Sequence, residues 1–262
     1  MRTTQNSNIK ATMGGYRVDT LPRYLSPLFQ LYGIFGATAL STYSRLAART
    51  CQWDFQTSDG SSLPYSKPCL HCTWHENVPA YFAYYHYKIR QQQQQQQQLP
   101  KHVWLQHPAA YMKPIHTYLE WNRVDYVLGS SGHGGQEAME SLISKLKQQQ
   151  QQEDPSSSVS SSSSSSPVSY SSAFFSDGPA GPVHKMKPGV IQVAQATGLP
   201  ILPIRFEIEG SFRTGWDQKH FPIPYSSKIR IQELAPILVG KADDDPRLVG
   251  EVLEEALRVH DP

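Results

Sequence analysis

Apolar residues along the chain fall into short runs that alternate with helically spaced segments. Runs typical of strands occupy residues 69–73, 103–106, 126–128, 173–176, 203–208 and 228–234. Helical spacing covers residues 78–87, 114–122, 136–147, 187–196 and 246–260. This alternation predicts an α/β fold, a single domain with a mostly parallel or mixed sheet flanked by helices. We expect any ligand to bind at the carboxyl ends of the strands.

Two low-complexity tracts interrupt this pattern. Residues 91–98 are all glutamine, and residues 148–172 are mostly glutamine and serine. Such segments cannot bury enough apolar surface to form a core. Lengthening a surface loop nevertheless adds little to the entropic cost of joining two folded elements. We therefore interpret both tracts as loop insertions in one domain, which spans residues 50–262.

The first 49 residues have a different character. Residues 1–23 are rich in Ser, Thr and Asn and lack the apolar core of a secretory signal, so a disordered terminus and an organelle-targeting leader are both open. Residues 24–44 contain no charged residue, and their apolar positions recur at helical spacing. We expect an amphipathic helix over residues 24–49, lying on a membrane surface or packed on the domain. A membrane span is the alternative.

Charge and cysteine content narrow the class of protein. The 24 basic and 22 acidic residues leave a net charge of +2, and no basic stripe follows any predicted element. We therefore expect no nucleic-acid partner. The three cysteines cannot all pair within the chain and form no disulfide framework, which favours a reducing, intracellular location.

The stretch "PCLHCTWHEN", residues 68–77, offers a candidate catalytic base. In an extended strand Cys69, His71, Thr73 and His75 share one face. His75 then lies at the strand exit, where an imidazole can accept a proton from a hydroxyl. A hydrogen bond to a loop carbonyl is the alternative role. The crowded cysteine and histidine spacing and the absence of a second ligand pair argue against zinc, so no metal site is predicted.

A glycine-rich turn, "GSSGHGG", joins a predicted strand to a predicted helix. Its backbone amides, hydroxyls and following helix N-terminus would suit an anion such as phosphate, although an ordinary connection has the same composition. The candidate binding residues in this turn are Gly129, Ser130, Ser131, His133, Gly134 and Gly135.

A second loop, "DGPAGPVHKMK", follows the strand at residues 173–176. It contains more charged residues than the glycine-rich turn. Asp177 is an acid at the strand end, and the glycines allow a close backbone approach. Lysines downstream could hold a phosphate as point charges. The candidate binding residues are Gly178, Pro179, Gly181, Lys185 and Lys187.

Taken together, "WHEN", "VLGSSGHGG", "FFSDGPAGP" and "MKPGVIQVAQATGLPILPI" resemble the lysophospholipid acyltransferase superfamily. Within it they are most similar to the bacterial-type branch known as a domain of unknown function. The similarity extends from about residue 69 to residue 239, apart from the two tracts. The resemblance implies a glycerolphosphate-acyltransferase-like fold for this region.

The resemblance also implies an activity. A membrane-associated enzyme would move a fatty acyl group from acyl-CoA or acyl carrier protein to a hydroxyl of a lysophospholipid or related lipid, with no bound cofactor. His75 corresponds to the base, and Glu76 or Asp177 is the candidate to orient it. The two glycine-containing turns correspond to segments that hold the acceptor's phosphate, and Lys187 matches the branch's lysine.

Two departures from the family pattern weaken the catalytic reading. Ala80 occupies the place of the superfamily's aspartate, five residues after the histidine, and Leu128 replaces an arginine of the branch. His71 and Glu76 have the five-residue offset, but His71 lies inside the predicted strand. A non-catalytic lipid- or phosphate-binding protein on the same fold is therefore the alternative.

Overall fold

A computed structural model describes residues 17–18, 20–58, 65–94, 100–129, 135–147, 169–178, 181–215, 218–240 and 245–258. The helices are α1 Ser26–Thr50, α2 Val78–Gln94, α3 Lys113–Trp121, α4 Gly135–Lys147, α5 Gly189–Thr197 and α6 Pro246–Leu257. The strands are β1 Gln52–Thr57, β2 Leu70–Thr73, β3 Lys101–Gln106, β4 Asp125–Leu128, β5 Tyr170–Phe175, β6 Ile201–Glu209, β7 Ser211–Thr214, β8 Lys219–Pro222 and β9 Lys228–Glu233.

Seven strands form one mixed sheet in the order β1-β9-β6-β2-β5-β3-β4. β6, β2, β5, β3 and β4 are parallel, whereas β9 runs antiparallel to β6 and parallel to β1. β7 and β8 form a separate hairpin. The α/β class and the mostly parallel, mixed sheet are therefore confirmed. The five parallel strands end at the same edge, which is where the predicted site should lie.

The alternation of β2 divides the core into two layers. Cys69 contacts the apolar cluster built with α1, α2 and α3, as predicted for that face of the strand. Leu70, Cys72 and Trp74 contact the second cluster, which is built with α4, α5 and α6. Each fully buried large side chain stabilises the fold by about 1.5–3 kcal/mol. β2 is thus held from both sides, and the residue after Trp74 emerges at a fixed place on the sheet edge.

Both predicted loop insertions are shorter than expected, because one end of each low-complexity tract belongs to a helix or a strand. α2 continues to Gln94 and Gln92 is buried, so the first glutamines of the tract are part of the folded domain. Glutamine is a good helix former, which explains the extension. β5 begins at Tyr170, and the Ser172 hydroxyl donates to the Val103 carbonyl at 2.7 Å. Residues 95–98 and 148–168 lie outside the described part of the chain.

The helix predicted at residues 24–49 is α1, and small residues form the face that packs on α3 and α2. A Cβ at Gly33 would stand 2.7 Å from Lys113 Cγ, and one at Gly36 only 2.6 Å from Pro114 Cβ, so these glycines permit close helix packing. Several of the large apolar side chains remain exposed, among them Leu28 and Phe35. Within the described residues, no helix combines the length and apolar character needed to cross a membrane.

The sequence did not predict β1 or the β7–β8 hairpin, and the inward face predicted for α6 was only partly correct. β1 and the β7–β8 hairpin are short and half exposed, and so they lack a strong apolar signal. Apolar spacing in α6 predicts that Val252, Leu253 and Leu257 point inward. Leu253 and Leu257 are buried, but Val252 is exposed because the buried stripe passes through Gly250 instead. The Asp245 carboxylate caps this helix by accepting from the Arg247 amide at 2.9 Å.

Candidate functional site

The carboxyl ends of β2 and β5 place His75 beside Asp177. The strands are parallel, with Thr73 opposite Phe175, and each chain turns away within two residues of that pair. His75 begins a 3-10 turn, His75–Asn77, and Asp177 lies in the turn after β5. Sequence analysis placed both residues at strand ends, and the sheet order makes those strands neighbours.

Asp177 is a buried carboxylate that ties two loops together. One oxygen, Oδ1, accepts the His75 backbone amide at 2.7 Å, and Oδ2 accepts the His184 backbone amide at 3.1 Å. Only 3% of the Asp177 surface is exposed. Hydrogen bonds to a carboxylate of this kind are stronger than neutral ones, so Asp177 fixes the backbone at both histidines.

Glu76 binds a histidine that sequence analysis did not assign to the site. Its Oε1 lies 2.9 Å from His184 Nε2, and the His184 ring packs against the Trp74 ring with centroids 5.2 Å apart. His184 has φ 57, a left-handed conformation that is uncommon outside glycine and often found at functional sites. Orientation of the His75 imidazole by Glu76 or Asp177 stays a prediction, because these contacts engage other groups.

The His75 imidazole is half-buried at the sheet edge. Its ring lies edge-on to Phe175, with centroids 6.2 Å apart. His71, four residues earlier, is buried and contacts Tyr81. The prediction that His71 lies inside the strand is confirmed, and of these two histidines only His75 reaches the carboxyl edge.

The two candidate lysines have different surroundings. Lys185 Nζ is paired with Glu254 Oε2 at 2.9 Å, and Glu254 also accepts the Met186 amide at 2.8 Å. The Met186 hydrogen bond is the main reason that the pKa of Glu254 lies below its usual value. Lys187 Nζ instead lies over Gly178, where a Cβ would stand only 2.9 Å away.

Lys187 is therefore the available cation of this loop. Among the described residues, no carboxylate lies within 4.0 Å of its ammonium group. Gly178 has φ 66, and Gly181, at φ 61, precedes the cis proline Pro182. Pro179 lies outside the described residues.

The glycine-rich turn lies farther from His75 than the loop after β5. Gly129 follows β4, the outermost strand, and its amide donates to the Gln106 carbonyl at 2.8 Å. Three strand spacings, about 14 Å, separate β4 from β2. Gly135 opens α4, whereas Ser130, Ser131, His133 and Gly134 lie outside the described residues. A ligand touching both turns must therefore extend across the sheet edge.

Cys69 and Cys72 are both buried, and burial raises the pKa of each thiol to about 12. Their side chains point to opposite faces of β2. In the described ranges, no three His, Cys, Asp or Glu side chains are grouped so as to hold a metal ion.

A cleft of about 660 Å³ lies between β6, the turn after β2 and the loop after β5. Glu76 and His184 line it together with Arg213 and His220 of the hairpin. Burial is the main reason that the pKa of His220 lies below its usual value. Arg213 and His220 could not be predicted as cleft residues, because nothing in the short β7 and β8 segments indicates that they fold back over the 3-10 turn.

Comparisons with known proteins give a match in structure but none in sequence. No family model and no curated protein sequence matches the chain. Among solved structures, the chain is similar to the crystal structure of the 1-acyl-sn-glycerophosphate (LPA) acyltransferase PlsC from Thermotoga maritima, with a TM-score of 0.49 and 13% identity. The similarity covers 89% of this chain and 90% of that one. A similarity at this level carries no functional conclusion.

Proposed function

We propose that this protein is an acyltransferase that moves a fatty acyl group from a thioester donor, acyl-CoA or acyl carrier protein, to a hydroxyl of a lysophospholipid or related lipid. The motifs of β2, β5 and the loops that follow them, which resemble the lysophospholipid acyltransferase superfamily, motivate the reaction class. The supporting observation in the structure is the position of His75. It lies half-buried at the carboxyl edge of the sheet, with its backbone held by the buried carboxylate of Asp177.

His75 acts as the base in a direct transfer. An imidazole can accept a proton near neutral pH, so it takes the proton of the acceptor hydroxyl as the oxygen attacks the thioester carbonyl. The new C–O bond forms, the C–S bond breaks, and the imidazolium returns its proton to the leaving thiolate. The products are the acylated lipid and the free thiol of the donor. No covalent acyl-enzyme intermediate is needed.

The loop after β5 binds the anionic end of the acceptor. Lys187 has no described carboxylate partner and lies directly over Gly178, close to the Asp177 turn. An ammonium group in such a position can hold a phosphate as a point charge. Lys185 is already paired with Glu254, so it contributes less.

The test is turnover by the purified full chain with labelled acyl-CoA or loaded acyl carrier protein and a panel of lysophospholipids. We expect His75→Asn to abolish measurable transfer while leaving the urea midpoint nearly unchanged. Lys187→Ala should raise KM for phosphate-bearing acceptors severalfold, and the matched Lys185→Ala should have a smaller effect. Full activity of folded His75→Asn protein would refute the mechanism.

The competing function is lipid or phosphate binding without chemistry. The observation that favours it is that Glu76, the carboxylate next in sequence to His75, binds His184. If lysophospholipid binds the purified chain equally well with and without His75→Asn, and no donor supports turnover, the binding function replaces the enzymatic one.

The exposed stripe on α1 is the proposed contact with a lipid surface. Its side chains are Leu28 at 62%, Leu31 at 60% and Phe35 at 81% exposure, and Tyr24, just before the helix, is 79% exposed. They face away from the small residues that pack on α3. Arg23, Arg45 and Arg49 are exposed on the same segment, and no acid interrupts it from residue 20 to residue 53. An apolar stripe flanked by cations suits an anionic membrane surface.

Vesicle flotation tests the membrane contact. Each apolar side chain buried in the interface contributes about 1.5–3 kcal/mol, so Leu31→Glu with Phe35→Glu should release the chain from phosphatidylglycerol-containing vesicles. Val252→Glu, which alters another exposed apolar residue on α6, is the control and should leave binding unchanged. Equal flotation of the doubly substituted chain would contradict the proposal.

A further inference from the structure

The edge of β6 next to the 3-10 turn is open. β2 pairs only with Ile201, Leu202 and Pro203 of β6 before it turns away at His75. β6 continues to Glu209, and residues 204–209 pair with β9 on the opposite side. In the part of the chain that the structure describes, no strand pairs with residues 204–209 on the β2 side. An unpaired strand edge presents backbone N–H and C=O groups that can pair with an added extended chain.

The cleft of about 660 Å³ lies along this open edge. Phe206, Glu207 and Ile208 are consecutive residues, and all three line it. Successive side chains of a strand point to opposite faces, so a cavity that touches three in a row meets the strand from its edge. Its volume is within the range of small-molecule sites, roughly 300–1,000 Å³.

One end of the cleft is formed by residues next in sequence to the proposed base, His75. Glu76 and Asn77, the two residues after His75, line it, and Trp74 and Leu257 supply apolar walls. The loop after β5, which is proposed to hold the acceptor, contributes Val183, His184 and Lys185 to the wall of the same cleft. Asp177 accepts the backbone amides of both His75 and His184, so the proposed base and this loop meet at the same end of the cleft.

The uncompensated charge in the cleft is positive. Its glutamates are engaged: Glu76 by His184, Glu207 by Arg230 at 2.8 Å, and Glu254 by Lys185. Arg213 also lines the cleft, is exposed, and has no carboxylate of a described residue within 4.0 Å. A guanidinium group in this position is suited to a phosphate.

We propose that this cleft binds the phosphopantetheine arm of the acyl donor, with the amides of the arm along the β6 edge and its phosphate at Arg213. The arm is an extended chain with two amide groups, which matches an open strand edge. Its thioester end then lies against Glu76 and Asn77, next to His75. The assignment rests on the proposed function, because it names the donor half of the same reaction. Coenzyme A and holo acyl carrier protein share this arm.

Direct binding tests the assignment without turnover. Calorimetry with the full-length His75→Asn variant would use coenzyme A, 4′-phosphopantetheine, pantetheine and 3′,5′-ADP. We expect the two probes that contain phosphopantetheine to bind, and Arg213→Glu to weaken both by about tenfold or more. Pantetheine, which lacks the phosphate, should be insensitive to Arg213→Glu. Arg90→Glu, which alters an exposed arginine on α2, is the control and should change nothing.

Hydrogen exchange locates the arm. Phosphopantetheine should slow exchange in a peptide covering residues 204–209, because the arm pairs with that edge. Unchanged exchange there, equal weakening by Arg90→Glu and Arg213→Glu, binding of 3′,5′-ADP alone, or no binding of either probe would each overturn the proposal. Competition by holo but not apo acyl carrier protein would identify the carrier protein as the source of the arm, whereas competition by coenzyme A alone would identify the nucleotide form.

The inference and the proposed function can fail separately. Binding of phosphopantetheine at residues 204–209 without turnover by the unsubstituted chain would remove the acyltransferase and keep the cleft assignment. Turnover whose KM for the donor is unaffected by Arg213→Glu would keep the acyltransferase and place its donor elsewhere.

Discussion

His71 in β2 and His75, which begins the 3-10 turn after it, differ more in environment than their spacing of four residues suggests. His71 is 2% exposed, its Nδ1 lies 2.5 Å from the Tyr81 hydroxyl, and burial, aided by the Lys88 charge, holds its pKa well below the usual value. His75 is half-buried at the sheet edge, with its backbone fixed by Asp177.

The region around His71 is a closed polar network. Lys88 and Glu233 form a buried ion pair at 3.6 Å, and Glu233 also accepts hydrogen bonds from the Tyr84 hydroxyl and the Tyr65 amide. Burial, again with Lys88, lowers the pKa of His102 to about 3. The charges here satisfy one another, whereas at the edge Lys187 and Arg213 have no described carboxylate partner. Both regions contain histidines, so residue type does not distinguish them. The difference is that the structural network is buried within the sheet, whereas the candidate site lies where the strands end.

The largest expected effect is on activity: substitution of His75 should lower kcat, whereas substitution of His71 should lower stability. His75→Asn should lower kcat by about 10²–10⁴-fold, because general-base catalysis contributes that much, with little change in stability. His71→Asn should instead cost about 1–3 kcal/mol of stability by leaving the Tyr81 hydroxyl without its partner. Turnover and urea unfolding measured on both variants check this. A folded His71→Asn protein with equally reduced kcat would erase the distinction.

Breaking the buried ion pair should come next in size. Lys88→Met leaves Glu233 uncompensated, and removing one partner of a buried pair costs about 3–5 kcal/mol. Lys113→Met, which breaks a surface pair with Glu120 at 3.9 Å, is the matched control and should cost less than about 1 kcal/mol. Urea midpoints measure both. Similar losses in the two variants would show that the Lys88 environment is not sealed.

The buried histidines should make stability fall with acidity. The pKa values of His71 and His102 are lower in the folded state than in the unfolded chain, so protons bind the unfolded state first as the pH drops below about 6.5. The free energy of unfolding should then decrease toward about pH 4, by about 1.4 kcal/mol per pH unit for each such histidine. Urea titrations at several pH values measure this slope.

His102→Gln should reduce the acid-dependent slope, because one of the histidines is removed. Equilibrium unfolding at pH 7 and pH 5 suffices for the comparison. A slope that is the same in His102→Gln and in the unsubstituted chain would mean that this ring protonates without unfolding.

The smallest effect concerns the loop at the sheet edge. Gly178→Ala and Gly198→Ala both place a side chain at positive φ, 66 and 72 respectively, which costs about 1–2 kcal/mol. Only Gly178 also faces Lys187, because nothing lies within 4 Å of a Cβ at Gly198. Gly178→Ala alone should therefore displace the lysine and raise KM for the acceptor. Equal KM values in the two variants would remove Lys187 from the acceptor site.

Much of the fold followed from local patterns. Six strand segments and six helices, including the one over residues 24–49, were predicted from the spacing of apolar residues. β1, β7 and β8 were missed, since half-exposed short strands gain most of their stability from partners that are distant in sequence. The sequence left open whether the helix over residues 24–49 packs on the domain, and its contact with α3 depends on close approach at glycine and alanine.

The candidate site could be predicted only in part. The positions of His75 and Asp177 at strand ends followed from the sequence, but their adjacency depended on β5 pairing next to β2 rather than at the sheet's edge. His184 carried no signal that would distinguish it from any loop histidine. Its role became visible only when Glu76, Asp177 and Trp74 were brought around it.

The sequence by itself determined the alternation of strands and helices and which residues leave each strand at its carboxyl end, because those features depend on neighbours within a few positions. The tertiary structure decided which strand ends stand side by side, which charges are already paired and where an edge stays open. These properties arise from contacts between residues as many as 179 positions apart, whose pairing no local pattern encodes.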